Sequence, residues 1–273
     1  MVQISKGYVP SRYGQLHYRI ARDEAAATAP PLLCLHQTPS SGKEWLPIMP
    51  ALARNRVVIA ADNPGYGMSD APPEPATIED FAAVTADLMS QLAEQGAVPA
   101  GPFDVIGYHT GSVVATELAR SLPDRVRRAV MFGLAAYPAD LRAEKLRTLR
   151  DKFPVPDRSL RHVERHWSLV QSLIDERMSA EAMHIAMAES LALGSRLPWG
   201  YIAVYGYDFL GAMPQVQQPV LIMNPEDDLH DVTTRTADGF PNGRRFDMPG
   251  VAHGVLTIEH DKVVACIEDF LGA

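Results

Sequence analysis

The hydrophobic positions of this 273-residue chain fall into short unbroken runs set between longer, helix-spaced ones. Leu32-Leu33-Cys34-Leu35, Val57-Val58-Ile59-Ala60, Phe103-Asp104-Val105-Ile106, Ala129-Val130-Met131-Phe132 and Val220-Leu221-Ile222-Met223 are the short runs. Continuous or nearly continuous apolar runs of that length fit strands buried on both faces, as in parallel sheets. Upstream of Pro30-Pro31, Leu16, Tyr18 and Ile20 alternate with polar neighbours, and this section predicts two antiparallel strands. Between the runs, Phe81, Val84, Leu88 and Leu92 form one apolar helix face behind a Thr77-to-Asp80 capping box. Val114, Leu118 and Leu122 repeat the spacing, as do Val263, Ile267, Phe270 and Leu271 near the end. The alternation predicts an α/β fold: a mostly parallel central sheet with helices on both faces.

The alternation stops between residues 135 and 218. No strand pattern occurs there, and helix-like segments around 141–149, 160–174 and 180–193 precede an aromatic patch of Trp199, Tyr201, Tyr205, Tyr207 and Phe209. Ordinary connections in α/β units run to about 2–6 residues. A helical cap or lid over 135–218, spliced into a core made of 1–134 and 219–273, is the economical reading.

Composition narrows the classes. The net charge of −8 argues against a nucleic-acid binder, which usually presents a basic face. Two cysteines, Cys34 and Cys266, make no disulfide framework and no zinc spacing; neither a metal nor a cofactor is expected. The start Met1-Val2-Gln3-Ile4-Ser5-Lys6 has neither the basic residues nor the apolar run of a signal peptide. No run approaches 18 apolar residues, so no membrane association is expected. The expectation is a cytoplasmic protein acting on a small molecule, with room for a homodimer.

The segment richest in chemistry is Gly107-Tyr108-His109-Thr110-Gly111, between a predicted strand and a predicted helix. It has the shape of a nucleophile elbow, Gly-x-Nuc-x-Gly, whose apex residue sits at positive φ. Around it, in order, come His36-Gln37-Thr38-Pro39, Asp62-Asn63-Pro64-Gly65-Tyr66-Gly67-Met68-Ser69-Asp70, Asn224-Pro225-Glu226-Asp227-Asp228 and Gly250-Val251-Ala252-His253-Gly254. Each lies at a strand end.

These segments together resemble the α/β-hydrolase superfamily over nearly the whole chain. The resemblance implies an α/β-hydrolase fold, with Asp228 as acid, His253 as general base, and the backbone N–H groups of Thr38 and Thr110 as oxyanion hole. Two departures stand out. Gln37 replaces a glycine beside the oxyanion loop, and His109 occupies the position where the family has Ser, Asp or Cys. The chain resembles a minor subgroup that pairs an HQTP-like loop with an HTG elbow.

An atypical His109–His253–Asp228 triad permits two chemistries. In one, His109 attacks a carbonyl and gives an acyl-imidazole. In the other, preferred here, the His253–Asp228 pair activates water or takes a substrate proton, while His109 donates a hydrogen bond or a proton. Gln37, Tyr108, Trp199, Tyr201 and Tyr205 are the expected substrate-pocket residues, which suggests an apolar or aromatic ligand. Ester or related acyl hydrolysis is the first functional expectation. Carbon–carbon cleavage by acid–base chemistry and a non-catalytic binding shell are the alternatives. Asp227 is a substitute acid that register disfavours, and Ser112 is read as helix packing.

Overall fold

The computed structural model describes residues 1–23 and 27–272. Eight strands form one sheet: β1 (Gln3–Ser11), β2 (Gly14–Arg22), β3 (Leu32–Leu35), β4 (Val58–Ala61), β5 (Phe103–Tyr108), β6 (Val126–Phe132), β7 (Val220–Pro225) and β8 (Gly243–Met248). Their spatial order is β1-β2-β4-β3-β5-β6-β7-β8. β2 runs antiparallel to both β1 and β4. Every other pairing is parallel, as the continuous apolar runs predict.

Alternation along these runs divides the core. Leu33, Leu35, Ile59, Val105, Met131 and Ile222 pack on one face, whereas Leu32, Cys34, Val58, Ile106, Val130 and Leu221 pack on the other. The first face is covered by α2 (Ile78–Glu94) and α3 (Thr110–Ser121); the second by the short α1 (Met49–Leu52) and, near the end of the chain, α10 (Val255–Ile258) and α11 (His260–Gly272). Both faces being dry explains why these strands show no polar alternation. The polar member, Asp104 in β5, is fully buried and binds the guanidinium groups of Arg56 and Arg127 at 3.2 and 2.7 Å. The Thr77 capping box forms, with Thr77 Oγ1 accepting from the Asp80 N–H at 3.1 Å and the Asp80 carboxylate accepting from the Thr77 N–H at 3.0 Å.

Between β6 and β7 the chain leaves the sheet for α4 (Ala139–Lys152), α5 (Arg161–Leu173), α6 (Ala180–Ala192), α7 (Trp199–Gly206) and α8 (Phe209–Ala212). The first three lie where the periodicity places them. The aromatic patch carries α7, with Pro198 as its N-cap. Beyond β7, α9 (His230–Thr236) leads back towards β8. The ends of β3, β5, β6 and β7 and the 249–254 loop converge beneath α4, α5 and α7, and this junction holds the candidate site.

Candidate active site

β5 ends at Tyr108 and α3 begins at Thr110, so His109 alone makes the turn, at φ 46° and ψ −104°. A non-glycine residue there is strained and is held only by its surroundings. The two elbow glycines supply the room. A Cβ on Gly107 would lie 2.2 Å from the Gly111 carbonyl carbon, and one on Gly111 would lie 2.0 Å from the Leu35 oxygen. The His109 N–H donates to the Phe132 carbonyl at 2.8 Å, anchoring the turn to β6. Ser112, one turn on, is fully buried and donates to the Gly107 and Phe132 carbonyls, both at 3.0 Å. Its hydroxyl is a structural fastening, as the sequence suggests.

The two histidines each hold their own carboxylate. His109 Nε2 lies 2.8 Å from Asp227 Oδ2, and His253 Nε2 lies 2.8 Å from Asp228 Oδ1. The rings stand nearly perpendicular with centroids 5.1 Å apart. The second bond was expected; the first was not. Asp227 is not a substitute for Asp228: the adjacent aspartates on the loop after β7 serve different rings. Asp227 is completely buried and its other oxygen accepts from the Leu229 N–H at 2.9 Å.

Burial opposes charge on His109, but the facing Asp227, with Asp228 and Glu44 beyond, outweighs it and raises the His109 pKa. Burial also works against ionised Asp227 and Asp228. The two histidines more than compensate, and both carboxyls are held below the usual range. His109 therefore keeps its proton to higher pH than a free histidine does.

Glu44, invisible to motif reading, is a third carboxyl at this junction. It follows the 36–39 loop and accepts the Gln37 backbone N–H at 2.9 Å and the Gln37 side-chain amide at 2.5 Å. Burial pushes it up to about 7, against those hydrogen bonds and the nearby histidines. Gln37 therefore lines the pocket with one N–H of its side-chain amide committed to Glu44. His36 bonds the Gln37 carbonyl within its own loop at 2.7 Å and accepts from the N–H of Asn63, just past β4, at 3.0 Å.

Among the described residues, no protein acceptor takes the N–H of Thr38 or of Thr110. Both residues border the same cavity as His109, His253 and Asp228, a space of about 70 Å³. Its apolar wall comes from Tyr137, Leu169, Leu173, Tyr201, Val204 and Tyr205. Two expected pocket residues lie elsewhere. Tyr108 is buried on the opposite face of β5, its ring stacked under His253 at 6.2 Å and 23°; strand alternation sends it away from the cavity. Trp199 is absent from the cavity wall. Tyr201 and Tyr205 share one face of α7 at i, i+4, and a residue two before Tyr201 is turned about 200° from it. Tyr137, just past β6, takes the aromatic position Trp199 was expected to fill.

Two further supports carry no sequence motif. Gly133 follows β6 at φ 66°, and a Cβ there would lie 2.6 Å from His109 Cδ2. Ile174 and Asp175, after α5, bind the His253 loop directly. The Asp175 N–H donates to the His253 carbonyl at 2.9 Å, and the Asp175 carboxylate accepts from the Ala252 N–H at 3.0 Å. Arg177 bonds both Asp175 and the Gly250 carbonyl at 2.7 Å.

His109, Asp227 and His253 also place one donor atom each within 4.8 Å of the others, a spacing open to a cation. A cation entering there would have to displace the proton that His109 and Asp227 share.

A sequence profile described as the alpha/beta hydrolase fold matches residues 30–255. The chain belongs to the α/β-hydrolase fold family. Within that family, mouse bifunctional epoxide hydrolase 2 is 28% identical over 237 residues, covering 85% of this chain and 38% of that protein. The chain spans about two-fifths of the length of the curated relatives it matches. The enol-lactonase from Burkholderia xenovorans LB400 superposes with a TM-score of 0.76 at 19% identity, covering 98% of this chain and all of that one. A thermophilic esterase from Thermogutta terrifontis gives 0.75 at 20% identity, covering 98% of each. Those identities speak for the α/β-hydrolase fold alone. Among the described residues, no helix is long and apolar enough to cross a membrane.

Proposed function

We propose that this α/β-hydrolase hydrolyses an ester or related acyl bond in a small apolar or aromatic molecule, without a cofactor and without a covalent intermediate. The observation that carries the reading is the pair of separate His–Asp dyads facing two unoccupied backbone N–H groups across one cavity. His253, backed by Asp228, takes a proton from water as its oxygen adds to the substrate carbonyl. The N–H groups of Thr38 and Thr110 receive the developing oxyanion, where preorganised donors act most strongly. His109, kept protonated by Asp227, passes its proton to the departing alkoxide oxygen, and the products are an acid and an alcohol. Proton return through solvent restores His109 and His253. An acid and a base with separated environments are what such a cycle needs. The raised His109 pKa favours this over attack by His109, because a protonated imidazole is no nucleophile. The epoxide hydrolase names among the sequence relatives agree with hydrolysis as the reaction class.

Leaving-group dependence tests the assignment. A p-nitrophenolate departs without protonation, whereas an alkoxide needs an acid. His109→Ala is therefore expected to retain most p-nitrophenyl ester turnover but to lose roughly 10²–10⁴-fold on the matching alkyl ester. His253→Ala should lose both. Equal loss on both esters in His109→Ala, with acyl-enzyme seen by mass spectrometry in the wild type, would refute the non-covalent route. Unchanged turnover after dialysis against EDTA is expected as well.

A further inference from the structure

A second cavity, of about 280 Å³, lies wholly within the segment between β6 and β7. The end of α4, residues 153–156, α5 and the stretch 190–198 enclose it. Phe153, Val163, Leu197 and Pro198 give it apolar walls. Among the described residues its ionisable lining groups are Arg150, Lys152, His162 and His166, all basic.

His166 is the informative member. It is 8% exposed, and among the described residues neither ring nitrogen has a hydrogen-bond partner although both are buried. Burial lowers its pKa with no compensating charge, so the ring is neutral, with one donor and one acceptor to satisfy. Buried polar groups are rarely left unpaired, and each exception calls for an explanation such as a missing ligand. Arg150 and Lys152, at the cavity's edge, form no ion pair among the described residues. His162 has an acidic neighbour, Asp157 at 3.6 Å, and Lys152 feels the charge of Asp228 in the catalytic cavity.

This cavity adjoins the catalytic one. Lys152 lines both, with its ammonium 5.5 and 5.8 Å from the rings of Phe153 and Tyr201. Those two rings stack at 4.7 Å and form the partition.

We infer that this cavity binds a small amphipathic monocarboxylate, its carboxylate accepting from the His166 N–H and facing Arg150 and Lys152, its apolar body against Phe153, Val163 and Leu197. A bare phosphate would leave the apolar walls unfilled, and an alcohol would leave the cations unanswered. The site does not depend on the chemistry assigned to His109.

Calorimetric titration of the full chain with sodium octanoate, 1-octanol and inorganic phosphate tests the inference. Octanoate is expected to bind at one site, with the alcohol and phosphate each at least tenfold weaker. His166→Phe, which keeps an aromatic ring and removes both nitrogens, should weaken octanoate at least tenfold and leave 1-octanol unchanged. Arg150→Gln, on an exposed side chain, should weaken octanoate severalfold without altering the melting temperature. His109→Ala should bind octanoate as the wild type does. Octanoate affinity unchanged in both cavity variants, equal affinity for 1-octanol or phosphate, or loss of octanoate binding in His109→Ala would each overturn it. The last result would place the acid in the catalytic pocket instead.

Discussion

Replacing Asp227 by Asn removes the charge behind His109 while keeping the side-chain shape and an acceptor for the Leu229 N–H. The wild-type contact is a 2.8 Å bond between a completely buried carboxylate and a ring whose side chain is 12% exposed, so solvent screens it little. Hydrogen bonds to charged partners contribute about 1.5–3 kcal/mol, and one pKa unit corresponds to about 1.4 kcal/mol. The variant should therefore lower the His109 pKa. If protonated His109 is the acid, the alkaline limb of kcat/KM for an alkyl ester shifts down by the same amount. Turnover then falls most on the alkaline side, by roughly tenfold or more for a charge-assisted bond of about 1.5–3 kcal/mol, and least on the acid side. The His109 Cε1–H resonance, followed by NMR, should titrate with the same displacement. A nucleophilic His109 gives the opposite pattern: the neutral ring becomes more abundant at pH 6, and activity there rises. That outcome, or an unmoved alkaline limb, would falsify the acid assignment. Stability carries a matching signature. A raised histidine pKa stabilises the fold fully below the unfolded value of about 6.5, and this contribution is lost as pH rises through the native pKa. The wild type should lose thermal stability over that range more steeply than Asp227→Asn.

Gly133→Ala forces a Cβ within 2.6 Å of the His109 ring at φ 66°; a denaturant midpoint corresponding to about 1–3 kcal/mol lost, with a fall in kcat/KM exceeding the loss of folded protein, is expected. Asp175→Ala keeps the backbone bond to His253 but removes the carboxylate that holds the Ala252 N–H and Arg177, so amide exchange at 250–254 should accelerate and ester turnover fall. Hydrogen bonds from Arg177 and backbone amides hold the Asp175 carboxyl below its ordinary value; the wild-type loop should therefore be protected above about pH 4 and released as pH falls through the lowered native value. Glu44→Gln should flatten the stability–pH curve between about pH 4 and 7, because a raised carboxyl stabilises the fold below its unfolded value of about 4.3 and ceases to do so as pH rises through about 7. Ser112→Ala should keep turnover within about threefold and lose ~1 kcal/mol of stability from its two buried hydrogen bonds; abolished activity in a folded variant would mean that Ser112 is the nucleophile after all.

The sheet was legible because its strands are dry on both faces, which leaves an uninterrupted apolar signature in the chain. The elbow was legible for a local reason: Gly107 and Gly111 have no room for a Cβ, so the turn writes itself into five consecutive residues. What sequence could not supply was the facing of side chains within a segment. Asp227 and Asp228 are neighbours, and only the loop's curvature decides that one meets His109 and the other His253. Tyr108 lies beside His109 in the chain, yet strand alternation sends it beneath the sheet. Trp199 fails for the helical counterpart of that reason. Glu44, Gly133 and Asp175 act through contacts with distant residues, which leave no spacing to recognise.

The double dyad also bears on why a histidine can stand at the elbow. An oxygen nucleophile there needs a base within hydrogen-bond reach, and one acid–base pair suffices. An imidazole is larger and brings its own titration. Two rings with centroids 5.1 Å apart would repel once both were charged, and a lone carboxylate could stabilise only one cation. Asp227 resolves this by giving His109 a private counter-charge, leaving Asp228 to orient His253. Gly133 gives the larger ring its space. Substituting His109 alone into an ordinary hydrolase elbow should therefore yield an inert protein, whereas adding the Asp227 and Gly133 equivalents should restore a titratable, carboxylate-paired imidazole, measurable by NMR before any activity is sought.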